Sequence, residues 1–338
     1  MAEKWILRTG SKATGFRYAG PEGKRVRDKQ VLERIEALRI PPAWEKVRIA
    51  VNARSAIQVW GFDARGRKQY RYHPRAVQKG SLRKFYRVAQ MGHDLPKMRR
   101  KFLSDLCQKD YSLDRVAAGI VLLIAESFIR VGSDKYEREN NTYGITTLRK
   151  SDVERYDDVV EFRYIGKRSI RHREVIKNAE LAKFVDTLIA TPGPRLFRYQ
   201  RDGDWTNINA HEVNDYIQRV ANFPYTAKDF RTWGGTLRAA TVLSEIGTGK
   251  NEASRKRDVT LAVRIVSSEL GNTPTILRKS YVHPAVLTGY LKNGARISQL
   301  SKATRRRQSP ASHTPDEKAL IAYLNEHAPE RRKARREG

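Results

Sequence analysis

Residues 113–130 read LDRVAAGIVLLIAESFIR, and Leu113, Val116, Ala117, Ile120, Leu123, Ile124 and Phe128 recur in it at helical spacing, making one apolar face that runs out just before Arg130. Such a stripe is core, not a cofactor box. It predicts that the larger part of the chain is built on helices. Toward the carboxyl end, Val259, Ala262, Val263, Val266 and Leu270 make another helical face, which Gly271 is placed to stop. Thr273-Pro274 can start the next helix, carrying Tyr281, and Pro284 ends or kinks it. Between these faces, Val159–Tyr164 and Ser169–Val175 read as two strands joined by a tight turn over Ile165-Gly166-Lys167-Arg168, which places Lys167 at a hairpin tip. Thr314, with Glu317 three residues later, forms a capping box for a short helix through Ala319, Leu320, Tyr323 and Leu324.

The first 80 residues have another texture. Trp5-Ile-Leu-Arg, Phe16-Arg-Tyr, Val47-Arg-Ile-Ala-Val and Ile57-Gln-Val-Trp-Gly-Phe are β-rich runs between Gly, Pro and Asn. One helix interrupts them, from Asp28 to about Leu38, with Val31, Leu32, Ile35 and Leu38 on one face. Asp63-Ala-Arg-Gly66 then turns the chain into Arg67-Lys-Gln-Tyr-Arg-Tyr72. The expectation is an α+β protein in three parts: a small β-rich domain over 1–80, a mainly helical domain with a short antiparallel sheet over 81–300, and a basic tail with a short helix over 301–338.

The chain has 338 residues, 67 Lys+Arg against 37 Asp+Glu, and a formal charge of +30. Residues 1–80 carry 19 basic and 7 acidic side chains, residues 81–300 carry 38 and 25, and residues 301–338 carry 10 and 5, so no region is acidic. A chain cationic throughout, with Tyr and Trp among its Arg and Lys, suits a long polyanion, and duplex DNA is the commonest. A ribosome-associated protein and a merely soluble cationic enzyme are the bland alternatives. The runs Arg305-Arg-Arg307 and Arg331-Arg-Lys-Ala-Arg-Arg336 read as solvated arms that add phosphate affinity. The lone Cys107 cannot form an internal disulfide, which suggests a reducing compartment. The apolar run Ala117–Ala125 stops at Glu126, short of the ~20 residues of a bilayer span, and Met1–Gly10 has no secretory core. The expected location is the cytoplasm, at the nucleoid, with no membrane partner.

Nucleotide and metal chemistry find no support. His73, His93, His172, His211, His283, His313 and His327 are scattered without a metal-like pair, and Gly247-Thr-Gly249-Lys250 lacks the length to wrap phosphates. His283 beside Pro284 reads as a helix-end histidine. What remains is a set of cations and one phenol: Arg130 in Arg130-Val-Gly-Ser-Asp-Lys-Tyr-Glu-Arg-Glu-Asn-Asn-Thr-Tyr-Gly144, Lys167 on its hairpin, Arg231 in Thr226-Ala-Lys-Asp-Phe-Arg231-Thr-Trp-Gly, and Tyr281 in Arg-Lys-Ser-Tyr281-Val-His-Pro.

Together, in this order and spacing, these segments resemble a type IB DNA topoisomerase of the compact bacterial and poxvirus-like kind, from Pro41-Pro-Ala-Trp44 through about Tyr290. The resemblance implies a monomeric C-shaped clamp on double-stranded DNA that needs neither ATP nor metal. Tyr281 would be the nucleophile, forming a 3'-phosphotyrosyl link. Arg130 and Arg231 would bind the phosphate oxygens, and Lys167 would protonate the leaving 5'-oxygen. Chemistry makes the same demand, since a phenol of pKa ~10 is ionised in only about one molecule per thousand at neutral pH and needs cations beside it. Nine residues before the tyrosine, where the family commonly has a histidine that donates to the phosphate, this chain has Asn272, whose amide can donate but carries no charge. Arg67, Lys68, Gln69, Tyr70 and Tyr72 match the family's DNA-contacting stretch, and Lys135 and Tyr136 a second contact region.

Each assignment has a plainer counterpart. Tyr70 and Tyr72 alternate as a strand face would, a hairpin-tip lysine is ordinarily a solubility residue, and Arg168 or Arg171 could stand in for Lys167. Two other functions compete. A tyrosine recombinase or integrase shares the nucleophile, but its pattern wants a histidine where this chain has Lys228. A noncatalytic architectural DNA-binding protein would not need Arg130, Lys167, Arg231 and Tyr281 all present.

Overall fold

The computed structural model describes residues 4–297 and 309–328, so both arginine-rich runs lie outside the described residues. The chain divides into two units, Met1–Lys84 and Phe85–Gly338.

In the first unit, β1 (Trp5–Ser11), β2 (Gly15–Ala19), β3 (Glu45–Ala50), β4 (Ile57–Phe62) and β5 (Lys68–Tyr72) form an antiparallel sheet ordered β2-β1-β3-β4-β5. Alternation decides which face is buried: Val47 and Ile49 point inward while Lys46 and Arg48 do not. Helix α1 (Lys29–Ala37) starts at Asp28, whose carboxylate accepts the Val31 N–H at 3.1 Å. Its Ile35 joins Ile6, Val47, Ile49 and Val59 in a small separate core.

The second unit holds most of α2 (Pro74–Leu106), then α3 (Leu113–Ser127), α4 (Asp134–Asn140), β6 (Val153–Tyr156), β7 (Val159–Gly166), β8 (Ile170–Lys177), α5 (Ala179–Ile189), β9 (Arg198–Arg201), β10 (Asp204–Asn207), α6 (Ala210–Ala221), α7 (Ala227–Ile246), α8 (Glu252–Glu269), α9 (Pro274–Ser280), α10 (Pro284–Asn293) and α11 (Pro315–His327). Helix α3 is central, with Val116, Ala117, Ile120, Leu123 and Ile124 fully buried. Two glycines let neighbours press close. A Cβ on Gly119 of α3 would meet the Phe184 ring at 2.2 Å, and one on Gly92 of α2 the Trp233 ring at 2.4 Å. Strands β6, β7 and β8 make a three-stranded antiparallel sheet, and β9 pairs with β10. No described helix is long and apolar enough to cross a membrane.

Three details differ from the sequence reading. The β7–β8 strands pair as far as Gly166 opposite Ile170, so the tip is Lys167-Arg168-Ser169, and left-handed φ angles at Arg168 (67°) and Ser169 (57°) turn the chain. Tyr281 caps α9 rather than lying within it, and Pro284 starts α10, where His283 Nδ1 accepts the Ala285 N–H at 3.1 Å. Helix α11, read as a short helix within a basic tail, packs inward: Leu320, Tyr323 and Leu324 enter the same core as α3. Glu317, whose carboxylate closes the capping box, also receives two hydrogen bonds from Arg99 of α2 at 2.6 and 2.8 Å.

Candidate active site

Two guanidinium groups grip the turn that follows α8. Arg231, in the second turn of α7 and 3% exposed, donates from Nη2 to the Leu270 carbonyl at 3.0 Å. Arg130 donates from Nη2 to the Gly271 carbonyl and to Asn272 Oδ1, both at 2.7 Å. Gly271 takes φ +59°, which lets the chain turn there. Arg130 is held from behind. Phe128 ends α3 with φ 58°, Ile129 is buried, and the Arg130 carbonyl accepts the Ile145 N–H at 2.8 Å. The loop beyond it presses on Gly144, where an added Cβ would come within 2.6 Å of the Arg130 oxygen and 2.5 Å of Gly132.

Gly234 and Gly235 of α7 seat what comes from two other segments. A Cβ on Gly234 would strike the Phe128 ring at 1.9 Å, and one on Gly235 would approach the Tyr281 carbonyl oxygen to 2.8 Å. The same carbonyl accepts from Thr236 Oγ1 at 3.4 Å. With its backbone fixed so, Tyr281 presents its ring to two cations of α7: the Arg231 guanidinium carbon lies 5.5 Å from the ring centroid, and the Lys228 ammonium 6.0 Å. Lys228, read from the sequence only as a departure from the recombinase pattern, stands three residues before Arg231 and therefore on the same helix face.

Burial first, and the Arg130 charge second, lower the Arg231 guanidinium to about 10, with Tyr281 opposing the shift. Arg231 therefore remains a cation at neutral pH. Its Nε is buried without a hydrogen-bond partner, as are Asn272 Nδ2 and His172 Nε2. Because Arg130 occupies Asn272 Oδ1, the amide is oriented with its NH2 directed elsewhere. A buried donor with no partner costs ~1–3 kcal/mol, so Arg231 Nε and Asn272 Nδ2 each carry a penalty that an accepting group would relieve. His172 was read from the sequence only as one scattered histidine, since the turn at Gly271 that it meets is distant in the chain.

The contacts that join Arg130, Arg231, Asn272 and Tyr281 do not include Lys167. That residue is at the hairpin tip, its ammonium 5.8 Å from the centroid of Tyr136, which lies on α4 and is 54% exposed. Lys135 beside it pairs at 3.8 Å with Glu139. In the first unit, Asp63 organises β5: its carboxylate takes an ion pair from Arg67 at 2.7 Å and the amide of Gln69 at 2.9 Å, and hydrogen bonding from Arg67 above all holds it down at about 2. Lys68 lies 3.9 Å above the Trp60 ring, and the exposed rings of Tyr70 and Tyr72 stack with centroids 5.9 Å apart. Among the described residues no three His, Cys, Asp or Glu side chains converge as a metal site requires.

Comparison with known proteins places the chain in a family. The family model for the catalytic core of eukaryotic DNA topoisomerase I matches residues 74–308, and that for the N-terminal domain of bacterial DNA topoisomerase IB matches residues 15–63. DNA topoisomerase 1B of Acanthamoeba polyphaga mimivirus is 34% identical over 270 residues, which cover 78% of this chain and 80% of the viral one. The DNA topoisomerase 1B of vaccinia virus (strain Copenhagen) is 25% identical over 253 residues, 72% of this chain and 75% of that one. For the DNA topoisomerase 1 of rabbit fibroma virus (strain Kasza) the figures are 26% over 238 residues, 67% and 70%. The catalytic-core match spans well over half of the sequence and contains Arg130, Lys167, Arg231, Asn272 and Tyr281; the chain belongs to the type IB DNA topoisomerases.

Proposed function

We propose that the protein relaxes supercoiled double-stranded DNA as a monomer, cutting one strand at a time through a covalent tyrosine intermediate and using neither ATP nor metal. The Tyr281 oxygen attacks the scissile phosphorus, its proton leaves to solvent, and the P–O5' bond breaks. The products are a 3'-phosphotyrosyl link and a free 5'-hydroxyl. In between, extra negative charge accumulates on the non-bridging oxygens. Arg231 Nε, Asn272 Nδ2 and the remaining Arg130 donors receive it, while the carbonyls of Leu270 and Gly271 keep the guanidiniums from drifting. Lys228 and Arg231 flank the ring on which charge develops. Lys167, carried in on its hairpin, protonates the leaving oxygen. Since the phosphotyrosyl bond retains the energy of the broken linkage, the 5'-hydroxyl reverses the step after the free end has rotated. Arg67, Lys68, Gln69, Tyr70, Tyr72, Lys135 and Tyr136 contact the duplex elsewhere.

The observation that carries this reading is the pair of partnerless buried donors, Arg231 Nε and Asn272 Nδ2, in side chains already anchored through their other polar atoms. The test is incubation of the purified protein with supercoiled plasmid in EDTA without nucleotide. Relaxation is expected, and Tyr281→Phe should bind the plasmid yet leave no protein–DNA adduct on a denaturing gel. Strand exchange between paired sites would assign a recombinase instead, and a shifted but still supercoiled plasmid an architectural binder.

A further inference from the structure

His172 takes no part in the chemistry above, yet its side chain is 7% exposed and its Nε2 has no partner. It stands on β8 opposite Tyr164 of β7, and the two rings stack with centroids 5.0 Å apart and planes at 8°. Its Nδ1 lies 3.4 Å from Glu174 Oε1. The ring fills space that two glycines leave open. A Cβ on Gly166 would lie 2.6 Å from His172 Cδ2, and one on Gly271 only 2.3 Å from its Cε1. Gly166 immediately precedes Lys167, while Gly271 precedes Asn272 and gives its carbonyl to Arg130. One imidazole thus touches both the root of the hairpin tip and the turn on which the guanidiniums close.

We propose that His172 is a positioning residue, a wedge that sets Lys167 against the cradle of Arg130, Arg231 and Asn272. The proposal rests on the reading of Lys167 as the general acid. Packing this close on both sides transmits position, because a ring held between two backbones cannot shift without moving one of them. Without it the tip can drift, and a catalytic group misplaced by about an ångström loses ~100-fold in rate. Tyr281, Arg130 and Arg231 keep their own anchors. Its Nε2 makes no hydrogen bond, and its Nδ1 only the long 3.4 Å contact with Glu174, so a phenyl ring can serve as the wedge in its place.

The test is single-turnover cleavage of a duplex with a mapped site, bearing at the scissile 5'-bridging position either oxygen or sulfur, since a thiolate leaves without a proton. Lys167→Ala, His172→Ala and His172→Phe are compared with the native protein. His172→Ala should be slowed between about tenfold and 100-fold on oxygen, to be nearly native on sulfur, and to bind DNA as the native protein does. His172→Phe should cleave both at close to the native rate. If sulfur rescues Lys167→Ala but not His172→Ala, or if His172→Phe is as slow as His172→Ala on oxygen, the wedge is overturned while the acid stands. If sulfur does not rescue Lys167→Ala, the reading of Lys167 falls and the wedge with it.

Discussion

Arg231 spends one nitrogen on the Leu270 carbonyl and leaves Nε without a partner in a buried setting, a division of labour open only to a forked cation. Lysine at this position can hold the turn or meet the proposed phosphate, not both. Arg231→Lys should therefore lose ~10²–10³ in cleavage rate, the range for removing one oxyanion donor, in single-turnover measurements at saturating enzyme. Asn272→Asp tests the neighbouring donor differently. It keeps an oxygen for Arg130 and turns the partnerless NH2 into an anionic acceptor, so cleavage should fall by a comparable ~10²–10³ while duplex binding at low salt changes little. The order and spacing of Arg130, Arg231, Asn272 and Tyr281 were legible in the sequence. Their convergence followed only from the family resemblance, because Arg130 finds its acceptors 141 and 142 residues away, contacts that no local pattern encodes. The place of His172 against Gly271, and of Lys228 against the Tyr281 ring, stayed unread for the same reason.

At the scale of elements, long periodic segments announced themselves. The stripe of α3, the capping box of α11 and the Pro274 start of α9 all follow from local rules. The four-residue strands β6, β9 and β10 did not, since VERY, RYQR and DWTN carry too little apolar alternation to separate them from loops. The sheet they neglect is tied by charge. Glu161 of β7, 5% exposed, takes two hydrogen bonds from Arg173 of β8 at 2.7 and 3.0 Å, and these, joined by Arg163, hold its carboxyl down to about 2. A carboxyl depressed in the folded state stabilises fully above its unfolded pKa of ~4.3 and loses that contribution as pH falls toward the folded value. Glu161→Gln should lower the urea midpoint at neutral pH, and the gap to the native protein should narrow steadily between about pH 4.3 and pH 2.

Over the whole molecule the formal charge of +30 is the dominant long-range property. If the duplex is held mainly through phosphates, log affinity should fall linearly with log salt at ~0.9 per phosphate neutralised, and plasmid relaxation should weaken steeply over the same range. A flat profile between low and moderate salt would contradict that picture. The carboxyl-terminal helix belongs to this scale too. Glu317 is buried against Arg99, and although burial alone would raise its carboxyl, those hydrogen bonds outweigh it and keep it below its ordinary value. Removing this carboxylate takes two charge-assisted hydrogen bonds from Arg99 and leaves it the charge of Glu126, so Glu317→Gln should cost ~1–3 kcal/mol in equilibrium unfolding. The partnerless donors at Arg231 and Asn272 carry a practical consequence for anyone handling the purified material. If they receive the scissile phosphate as proposed, a tetrahedral oxyanion from the buffer should compete for them and be counted as native stability, so melting temperatures taken in sulfate and in chloride would describe two different equilibria of one polypeptide.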